Sequence, residues 1–182
     1  MSESSLVKVQ IFSDIVCPWC FIGKRRLEKA LLERPNIKFE VHWHPFQLNP
    51  EMPLDGIDRQ TYLNLKFGGA VNAEAIYRNI VTAGASENLD FNFDAIGRMP
   101  NSLLSHRLVY FCQESKQQNL ITENLFRSYF FYGLDIGKKG LTKNKKEGDK
   151  KTPKGIFGIE NLYYRKDRKQ KPSTSLNCIE IK

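Results

Sequence analysis

The sequence predicts a mixed α/β protein in which a parallel strand, helix and strand unit precedes a helical region. Three observations support this fold class. Apolar residues alternate in residues 6–12, recur at helical spacing from 18 to about 33, and alternate again in residues 37–46. Two strands joined by a helix and short loops form a right-handed parallel crossover. The N-terminus of that helix is therefore expected at the carboxyl edge of the two strands.

The first strand and the helix are joined by the segment "SDIVCPWCFIG", residues 13–23. The preceding run "LVKVQIF" places three apolar side chains on one strand face, those of Val7, Val9 and Ile11. Pro18 suits the first position of a helix, and Pro35 prevents the helix from continuing. We therefore expect a helix over about 18–33 with Cys17 at its N-cap.

The second strand is predicted in "IKFEVHWHPF", and Pro45 ends it. Its apolar face carries Ile37, Phe39, Val41 and Trp43. From about 58 to 132 the periodicity becomes helical, without strand alternation, which indicates three or four helices. Breaks between these helices are expected at Gly68-Gly69, Gly84, Met99-Pro100 and Gly133.

Length and cysteine usage narrow the class of protein. A chain of 182 residues with 41% hydrophobic residues suits one domain, or one domain that carries an insertion. The N-terminal segment lacks a basic stretch followed by a long apolar one, and no apolar run approaches the length of a membrane span. Four cysteines are too few for a secreted disulfide framework. We therefore expect a cytoplasmic protein whose close cysteine pair is catalytic or metal-binding.

The net charge of +8 is concentrated at the C-terminal end. Residues 1–137 carry a net charge of −1, and residues 138–182 carry +9. The run "KKGLTKNKKEGDKKTPKG", residues 138–155, has little apolar surface to bury, so we interpret it as a disordered linker. A basic tail that binds nucleic acid or a membrane surface is an alternative. The lysines are not interleaved with aromatic residues, which does not favour it.

The spacing of Cys17 and Cys20 suits dithiol exchange. A sulfur at the N-cap faces unsatisfied backbone amides and the positive end of the helix dipole, both of which favour a thiolate. Cys17 is therefore the expected nucleophile, and Cys20, one turn inside the helix, is close enough to resolve a mixed disulfide. The cluster Lys24 to Arg26 adds positive potential, although an ordinary solvated helix face explains it equally well.

Zinc binding and inert burial are the other interpretations of the pair. A structural zinc site needs four ligands, and neither Cys112 nor Cys178 has a partner cysteine at chelating spacing. His42 and His44 could serve, but they share a strand face with charged residues, which indicates a solvated face. Cys112 lies in an apolar helical stretch and is expected in the core. No metal is therefore expected.

The motifs "SDIVCPWCFIG", "HWHPFQLNPEMP" and "PNSLLSHRL" together resemble the DsbA family, in particular its cytosolic FrnE-like branch. The resemblance implies a thioredoxin-like α/β fold with an inserted helical domain. Residues 1–57 would form the N-terminal thioredoxin-fold half, residues 58–134 the helical insertion over the active site, and residues 135–182 a Lys-rich linker and a remnant of the C-terminal half. By the same resemblance, Cys17 and Cys20 are the redox pair.

The resemblance also implies a reaction and its requirements. The protein would be a thiol-disulfide oxidoreductase that acts on protein or small thiol and disulfide substrates without a metal or organic cofactor. Pro18 and Trp19, between the two cysteines, would tune the pair. Glutathione is a further candidate substrate, whereas membrane and nucleic-acid partners are not implied.

Glutathione-dependent enzymes of the same superfamily resemble this layout too. Kappa-class glutathione transferases and 2-hydroxychromene-2-carboxylate isomerases share the helix that carries Asn101, His106 and Arg107, but they generally have a serine where Cys17 stands. A resolving thiol at Cys20 would be idle in such a site, so the intact pair favours dithiol chemistry. Asn101 and His106 either cap a helix and make packed polar contacts or approach the cysteine pair and shape the substrate groove.

The C-terminal region departs from the family pattern. After "YFFYGLDIG" a DsbA-like chain continues with a helical return, a loop whose cis proline faces the cysteines, two strands and a helix. The Lys-rich run replaces that return, and "GIFGIENLYY" and "KPSTSLNCIEI" resemble fragments of the expected ending. Glu160 stands where the proline belongs, which leaves Pro153 as the remaining candidate. We expect an incomplete C-terminal half and an exchange reaction impaired by it.

Overall fold

A computed structural model describes residues 6–113, 117–138, 161–164 and 177–180. The chain divides into two compact units, Met1–Lys139 and Gly140–Lys182. Nearly all of the predicted Lys-rich linker lies outside the described residues. Among the helices that the structure describes, none is long and apolar enough to cross a membrane.

The predicted strand, helix and strand unit is confirmed. Strand β1 (Leu6–Ser13) pairs in parallel with β2 (Lys38–Pro45), and helix α1 (Pro18–Leu32) connects them. The register places Val9 opposite Val41, as the two alternating patterns require. Because the strands are parallel, the loop after β1 and the start of α1 lie at their carboxyl edge.

The apolar faces of this two-stranded sheet are covered unevenly. Trp43 in β2 is 3% exposed, whereas Val7 in β1 is 40% exposed. Gln118 protects the backbone of β2 beside Trp43. Its side-chain oxygen accepts from the Trp43 amide at 2.9 Å, and its nitrogen donates to the carbonyls of Trp43 and Val109, each at 3.0 Å. One glutamine side chain therefore occupies the hydrogen-bonding groups that a neighbouring strand would use.

Four helices occupy the region where three or four were predicted: α2 (Arg59–Phe67), α3 (Ala70–Ala85), α4 (Leu103–Phe111) and α5 (Gln118–Phe130). Gly68 ends α2 in the left-handed conformation at φ 73°, as a C-terminal glycine commonly does. Gly84 lies in the last turn of α3, which ends at Ala85, so this break occurs close to where it was predicted.

Two short strands in this region were not predicted. Strand β3 (Ile57–Asp58) pairs antiparallel with β4 (Arg98–Met99). Each contains two residues, too few to produce an alternating pattern, so periodicity could not reveal them. The pair joins the start of α2 to the segment before α4. A single 3-10 turn at Phe93–Ala95 precedes β4.

An aromatic core joins α1 to α5. The ring of Phe21 in α1 is fully buried and stacks on Phe126 of α5, with 4.8 Å between the ring centroids. Phe130, one turn further along α5, contacts both Phe21 and Phe91. Burial of side chains of this size contributes about 1.5–3 kcal/mol each. The cluster therefore fixes α1, and with it the cysteine pair, against the helical region.

The second unit contains two described strands, β5 (Asn161–Tyr164) and β6 (Asn177–Glu180). They pair in parallel with each other, with Asn161 opposite Asn177. Both lie in the fragments that resemble the expected C-terminal ending. Pro153 and Glu160 lie outside the described residues, so the candidate for the cis proline stays a prediction.

Candidate active site

Cys17 is the N-cap of α1, as predicted, with an extended backbone at φ −97° and ψ 113°. Its amide donates to the carbonyl of Asp14 at 3.1 Å, and its carbonyl accepts from the amides of Cys20 at 3.1 Å and Phe21 at 3.3 Å. Both cysteines are half-buried and carry free thiols, and Trp19 between them is 48% exposed. The pair thus lies at the surface on the first turn of a well-anchored helix.

The two thiols are hydrogen-bonded to each other and ionise as a pair. That hydrogen bond is the largest cause that lowers the pKa of Cys20 from 9.0 to about 6; the Asp14 amide acts in the same direction, and burial acts against both. The same hydrogen bond raises the pKa of Cys17, as do burial and the charge of Cys20. The first proton therefore leaves the pair easily, and the second is strongly held.

This distribution of charge differs from the sequence expectation, which placed the thiolate on Cys17. The amides of Cys20 and Trp19 do lower the pKa of Cys17, but neither makes a capping hydrogen bond to its sulfur. Cys20 accepts from the Cys17 thiol and from the Asp14 amide. In the reduced pair, hydrogen bonding therefore favours the charge on Cys20, with the shared proton on Cys17. The roles of nucleophile and resolving thiol stay a prediction.

Cys17 lines a cleft. A cavity of about 310 Å³ lies between the start of α1 and the helical region, and its wall includes Cys17, Pro18 and Trp19 but not Cys20. Opposite side chains include Arg59 and Tyr62. A molecule in this cleft would therefore contact the sulfur of Cys17 before that of Cys20.

Asp14 organises the loop before Cys17. Its carboxylate is 1% exposed, and its oxygens accept from the amides of Val16 at 3.3 Å and Leu48 at 2.7 Å. His106, equally buried, lies 3.2 Å from the same carboxylate through Nε2. The cysteine loop, the loop after β2 and α4 are thus joined at one buried carboxylate.

Asn101 and His106 both bond to protein groups rather than to the cysteines. The Asn101 side chain accepts from the Leu103 amide at 2.9 Å and from Gln47 at 3.2 Å, and it donates to the Met52 carbonyl at 2.6 Å. Neither Asn101 nor His106 lines the cleft that contains Cys17. Their contacts match the helix-capping and packed polar interpretation of these two residues.

The basic cluster on α1 is solvated only in part, because Lys24 is buried, Arg25 is half-buried and Arg26 is exposed. Lys24 is 3% exposed and pairs with Glu28 and Glu123. Arg25 also pairs with Glu123, and Arg26 and Lys29 pair with Glu87. These three carboxylates offset most of the charge of the four cations, which weakens the positive potential of the cluster at the cysteines.

The other candidate ligands lie apart. Cys112 is 8% exposed at the end of α4, as expected of a core residue. His42 pairs with Glu40 at 3.2 Å, and His44 stacks on Phe12 with 4.8 Å between ring centroids. Among residues that the structure describes, no group of three or more metal-ligating side chains occurs. The side chain of Cys178 lies outside the described part.

A family model for the DSBA-like thioredoxin domain matches residues 8–144. The chain belongs to the DSBA-like thioredoxin domain family. The matched residues include β1, α1 and β2 together with the four helices described above. The fold is thus a thioredoxin-like α/β fold.

Several proteins are similar to this DSBA-like chain. The uncharacterized protein YwbO of Bacillus subtilis (strain 168) is 24% identical over 131 residues, which cover 72% of this chain and 60% of that protein. The crystal structure of the probable DsbA oxidoreductase SCO1869 from Streptomyces coelicolor has a TM-score of 0.63 at 30% identity, covering 72% of this chain and 58% of that one. A putative protein disulfide isomerase from Nitrosomonas europaea has a TM-score of 0.50 at 12% identity, covering 74% of this chain and 60% of its own, and shares the fold. The chain thus spans about 60% of the length of the relatives that it matches.

Sequence reasoning missed three residues of the site, Ser13, Asp14 and Arg59. Ser13 and Asp14 immediately precede the cysteines, and their polar side chains in an otherwise apolar segment were a usable signal. Arg59 lies far from the pair in sequence and follows no recognisable motif. Only the tertiary fold, which places the start of α1 and residues of α2 on the wall of one cavity, brings it to the cleft.

Proposed function

We propose that the protein is a thiol-disulfide oxidoreductase that exchanges disulfides through Cys17 and Cys20. The observation that carries this proposal is a hydrogen-bonded thiol pair of lowered first pKa, one member of which lines a cleft. Thiolate is the reactive form of cysteine, and a thiol with a pKa near ambient pH attacks disulfides most effectively. Membership of the DSBA-like family supports the same reaction.

The proposed reaction consists of two exchanges. The Cys17 thiolate attacks one sulfur of a substrate disulfide, so that a mixed disulfide forms and the first substrate thiolate leaves. The Cys20 thiolate then attacks the Cys17 sulfur, which forms the Cys17–Cys20 disulfide and releases the second thiolate. The two protons of the protein thiols end on the two product thiols, and two electrons pass from protein to substrate. The reverse sequence oxidises substrate dithiols.

The surroundings of each sulfur suit these two roles. Cys17 lines the cleft, where a substrate disulfide can approach, and helix-terminal amides partly stabilise its thiolate. The amide of Asp14 stabilises the thiolate of Cys20 in the first turn of α1, where it can attack the mixed disulfide. Charge held on Cys20 in the resting pair moves to Cys17 when the shared proton is transferred. No metal or organic cofactor enters this scheme.

Protein disulfides and small disulfides are the proposed substrates. The glutathione-dependent isomerase or transferase gains no support from Asn101 and His106, because both bond to protein groups. The cytoplasmic location and the impairment of exchange by the C-terminal departure stay predictions from the sequence. Residues that would form a basic binding tail lie outside the described part.

Substitution of each cysteine tests the proposal. Cys17→Ser should abolish exchange with a disulfide substrate, because the sulfur that lines the cleft is lost. Cys20→Ser should still attack but accumulate a mixed disulfide on Cys17, since no thiol resolves it. Rates of thiol release and intact-protein mass measure the two effects. Cys112→Ser, at the buried end of α4, is the matched control and should exchange normally.

An inverted pattern would contradict the assignment of roles. If Cys17→Ser formed the mixed disulfide on Cys20 and Cys20→Ser did not react, Cys20 would be the nucleophile. Retention of exchange in the variant that lacks both thiols would remove the pair from the reaction altogether. Chromene isomerisation or glutathione conjugation that survives Cys20→Ser would favour the glutathione-dependent alternative.

A further inference from the structure

Arg59 places an uncompensated positive charge in the cleft that Cys17 lines. It is the first residue of α2 and is half-buried. Its guanidinium carbon lies 5.0 Å from the ring centroid of Tyr77 and 5.7 Å from that of Phe93. Its amide donates to the Gly97 carbonyl at 3.1 Å. Backbone and aromatic contacts therefore hold this residue in place without using the hydrogen-bond donors of its guanidinium on a carboxylate.

Most other partly buried cations of the described chain are paired, and Arg127, which is not, lies over the Phe131 ring at 5.1 Å and outside the cleft. Lys24 and Arg25 bind Glu123, and Arg98 lies 4.0 Å from Asp135. No ion pair between described residues includes Arg59. The nearest acidic residue in sequence, Asp58, bonds instead to the amide and hydroxyl of Thr61 at 2.9 and 3.2 Å. Because partial burial of an unpaired charge is unfavourable, a bound anion would improve this site.

The size of the cleft suits a small ligand. Its volume of about 310 Å³ lies at the lower end of the range of small-molecule sites. Tyr62 and Tyr77 supply aromatic wall, and Lys66 adds a second, exposed cation. Cys17 and Arg59 are on the wall of this one cavity. A ligand can thus present sulfur to Cys17 and an anionic group to Arg59 together.

We propose that the cleft selects disulfides and thiols that carry a carboxylate close to sulfur, and that Arg59 binds this carboxylate. This inference rests on the proposed exchange function. The guanidinium is planar and matches a carboxylate with two parallel hydrogen bonds, which a lysine cannot do. Stacking on Tyr77 and Phe93 fixes its orientation before the substrate arrives. Arg59 is therefore a specificity-determining residue, and Cys17 performs the chemistry.

Three small disulfides with the same two-carbon arm test the proposal: dithiodipropionate, which ends in carboxylates, hydroxyethyl disulfide, which is neutral, and cystamine, which ends in ammonium groups. The reduced protein is mixed with each, and thiol release is followed. Each rate is divided by the rate of the same disulfide with a small reference thiol, which removes intrinsic reactivity. We expect dithiodipropionate to be preferred over hydroxyethyl disulfide about tenfold, a difference of about 1.4 kcal/mol, and cystamine to be the poorest substrate.

Variants at Arg59 assign the preference to this residue. Arg59→Met keeps an unbranched side chain that can pack on the two rings but removes the charge, so the carboxylate preference should disappear. Arg59→Lys should retain part of it. Arg78→Gln, which removes an exposed arginine of α3 outside the cleft, is the matched control and should keep the full preference. Circular dichroism confirms that each variant is folded.

Peptide disulfides with glutamate or glutamine beside the cysteine distinguish the source of the carboxylate. A glutamate preference that Arg59→Met removes would extend recognition to acidic peptides, whereas a preference confined to dithiodipropionate identifies low-molecular-weight substrates. The proposal is overturned if the unchanged protein shows no carboxylate preference in either series, or if Arg59→Met retains it. Failure to exchange with any disulfide would instead contradict the proposed function itself.

Discussion

The carboxylate of Asp14 is expected to hold the cysteine loop in place, and Asp14→Asn isolates that contribution. Its two oxygens accept from the amides of Val16 and Leu48, and His106 lies 3.2 Å away. Asparagine has nearly the same shape but only one accepting oxygen. In either orientation of the asparagine amide, its NH₂ group faces one of these backbone amides, which then loses the acceptor that it has in the unchanged protein.

The magnitude follows from the hydrogen bonds that are lost. The bond from the Leu48 amide, at 2.7 Å, is the shortest and is charge-assisted. A hydrogen bond to a charged group contributes about 1.5–3 kcal/mol, and a buried donor left without an acceptor costs a similar amount. The hydrogen bond to the remaining asparagine oxygen persists but is no longer made to a charged group. We therefore expect Asp14→Asn to lower the free energy of unfolding by about 2–4 kcal/mol.

Urea denaturation at neutral pH measures this loss. Asp90→Asn, an exposed aspartate in the loop after α3, provides the matched control and should change stability by less than about 0.5 kcal/mol. If the two variants were equally stable, the Asp14 carboxylate would not hold the loop, and its contacts with Leu48 and His106 would not stabilise the folded protein.

The same variant should also change the ionisation of the cysteine pair. The pKa of Cys20 is lowered first by its hydrogen bond to Cys17, while the negative charge of Asp14 acts in the opposite direction. Removing that charge should lower the pKa of the pair further, as followed by the ultraviolet absorbance of the thiolate. A raised or unchanged pKa would refute the electrostatic part of the reasoning.

Two further predictions concern ionisation. The rate of alkylation of the reduced pair should rise with pH around a midpoint near 6, the lowered pKa of Cys20, and approach its maximum by neutral pH, because the thiolate forms above that pKa. A midpoint near the ordinary value of 9.0 would contradict this prediction. Glu123→Gln should lower the free energy of unfolding by about 1–3 kcal/mol, since it leaves the buried Lys24 without one of its carboxylates, whereas the exposed Glu74→Gln should have little effect. Hydrogen bonds from Arg25 and Lys24 hold the pKa of Glu123 below its ordinary value of 4.5 despite burial. The stability that ionised Glu123 contributes is therefore fully present above pH 4.5 and is lost as the pH falls through the lowered pKa. The difference between Glu123→Gln and the unchanged protein should therefore shrink in acid, as urea titrations at several pH values would measure.

Local sequence patterns predicted the elements that carry the cysteines. The alternation in β1 and β2 and the proline at the start of α1 are properties of neighbouring residues, so they were readable without knowledge of the fold. The N-cap position of Cys17 followed from Pro18 for the same reason. Even the parallel pairing of the strands follows from the connection, because a strand, helix and strand with short joints allows little else.

Contacts between distant residues could not be predicted in the same way. Lys24 looked solvated because its partner Glu123 lies on α5, and only packing of α5 against α1 shows that the lysine is buried. His106 and Asp14 are likewise separated by 92 residues. The location of the shared charge on Cys20 depends first on the hydrogen bond from Cys17, whose direction no spacing rule provides. The cleft with Arg59 arises from the packed helices and has no local signature.

Equilibration of the reduced protein with glutathione redox buffers tests the central claim most directly. After alkylation of the remaining thiols, peptide mass should show a reversible Cys17–Cys20 disulfide, while Cys112 stays reduced. Since the lowered pKa of about 6 stabilises the reduced form, we expect a reduction potential between those of thioredoxin and DsbA, about −270 and about −120 mV. If Cys17 and Cys20 stay alkylatable at every glutathione ratio, or if Cys17 stops at a glutathione adduct while Cys20 remains free, the pair is not a dithiol exchange centre.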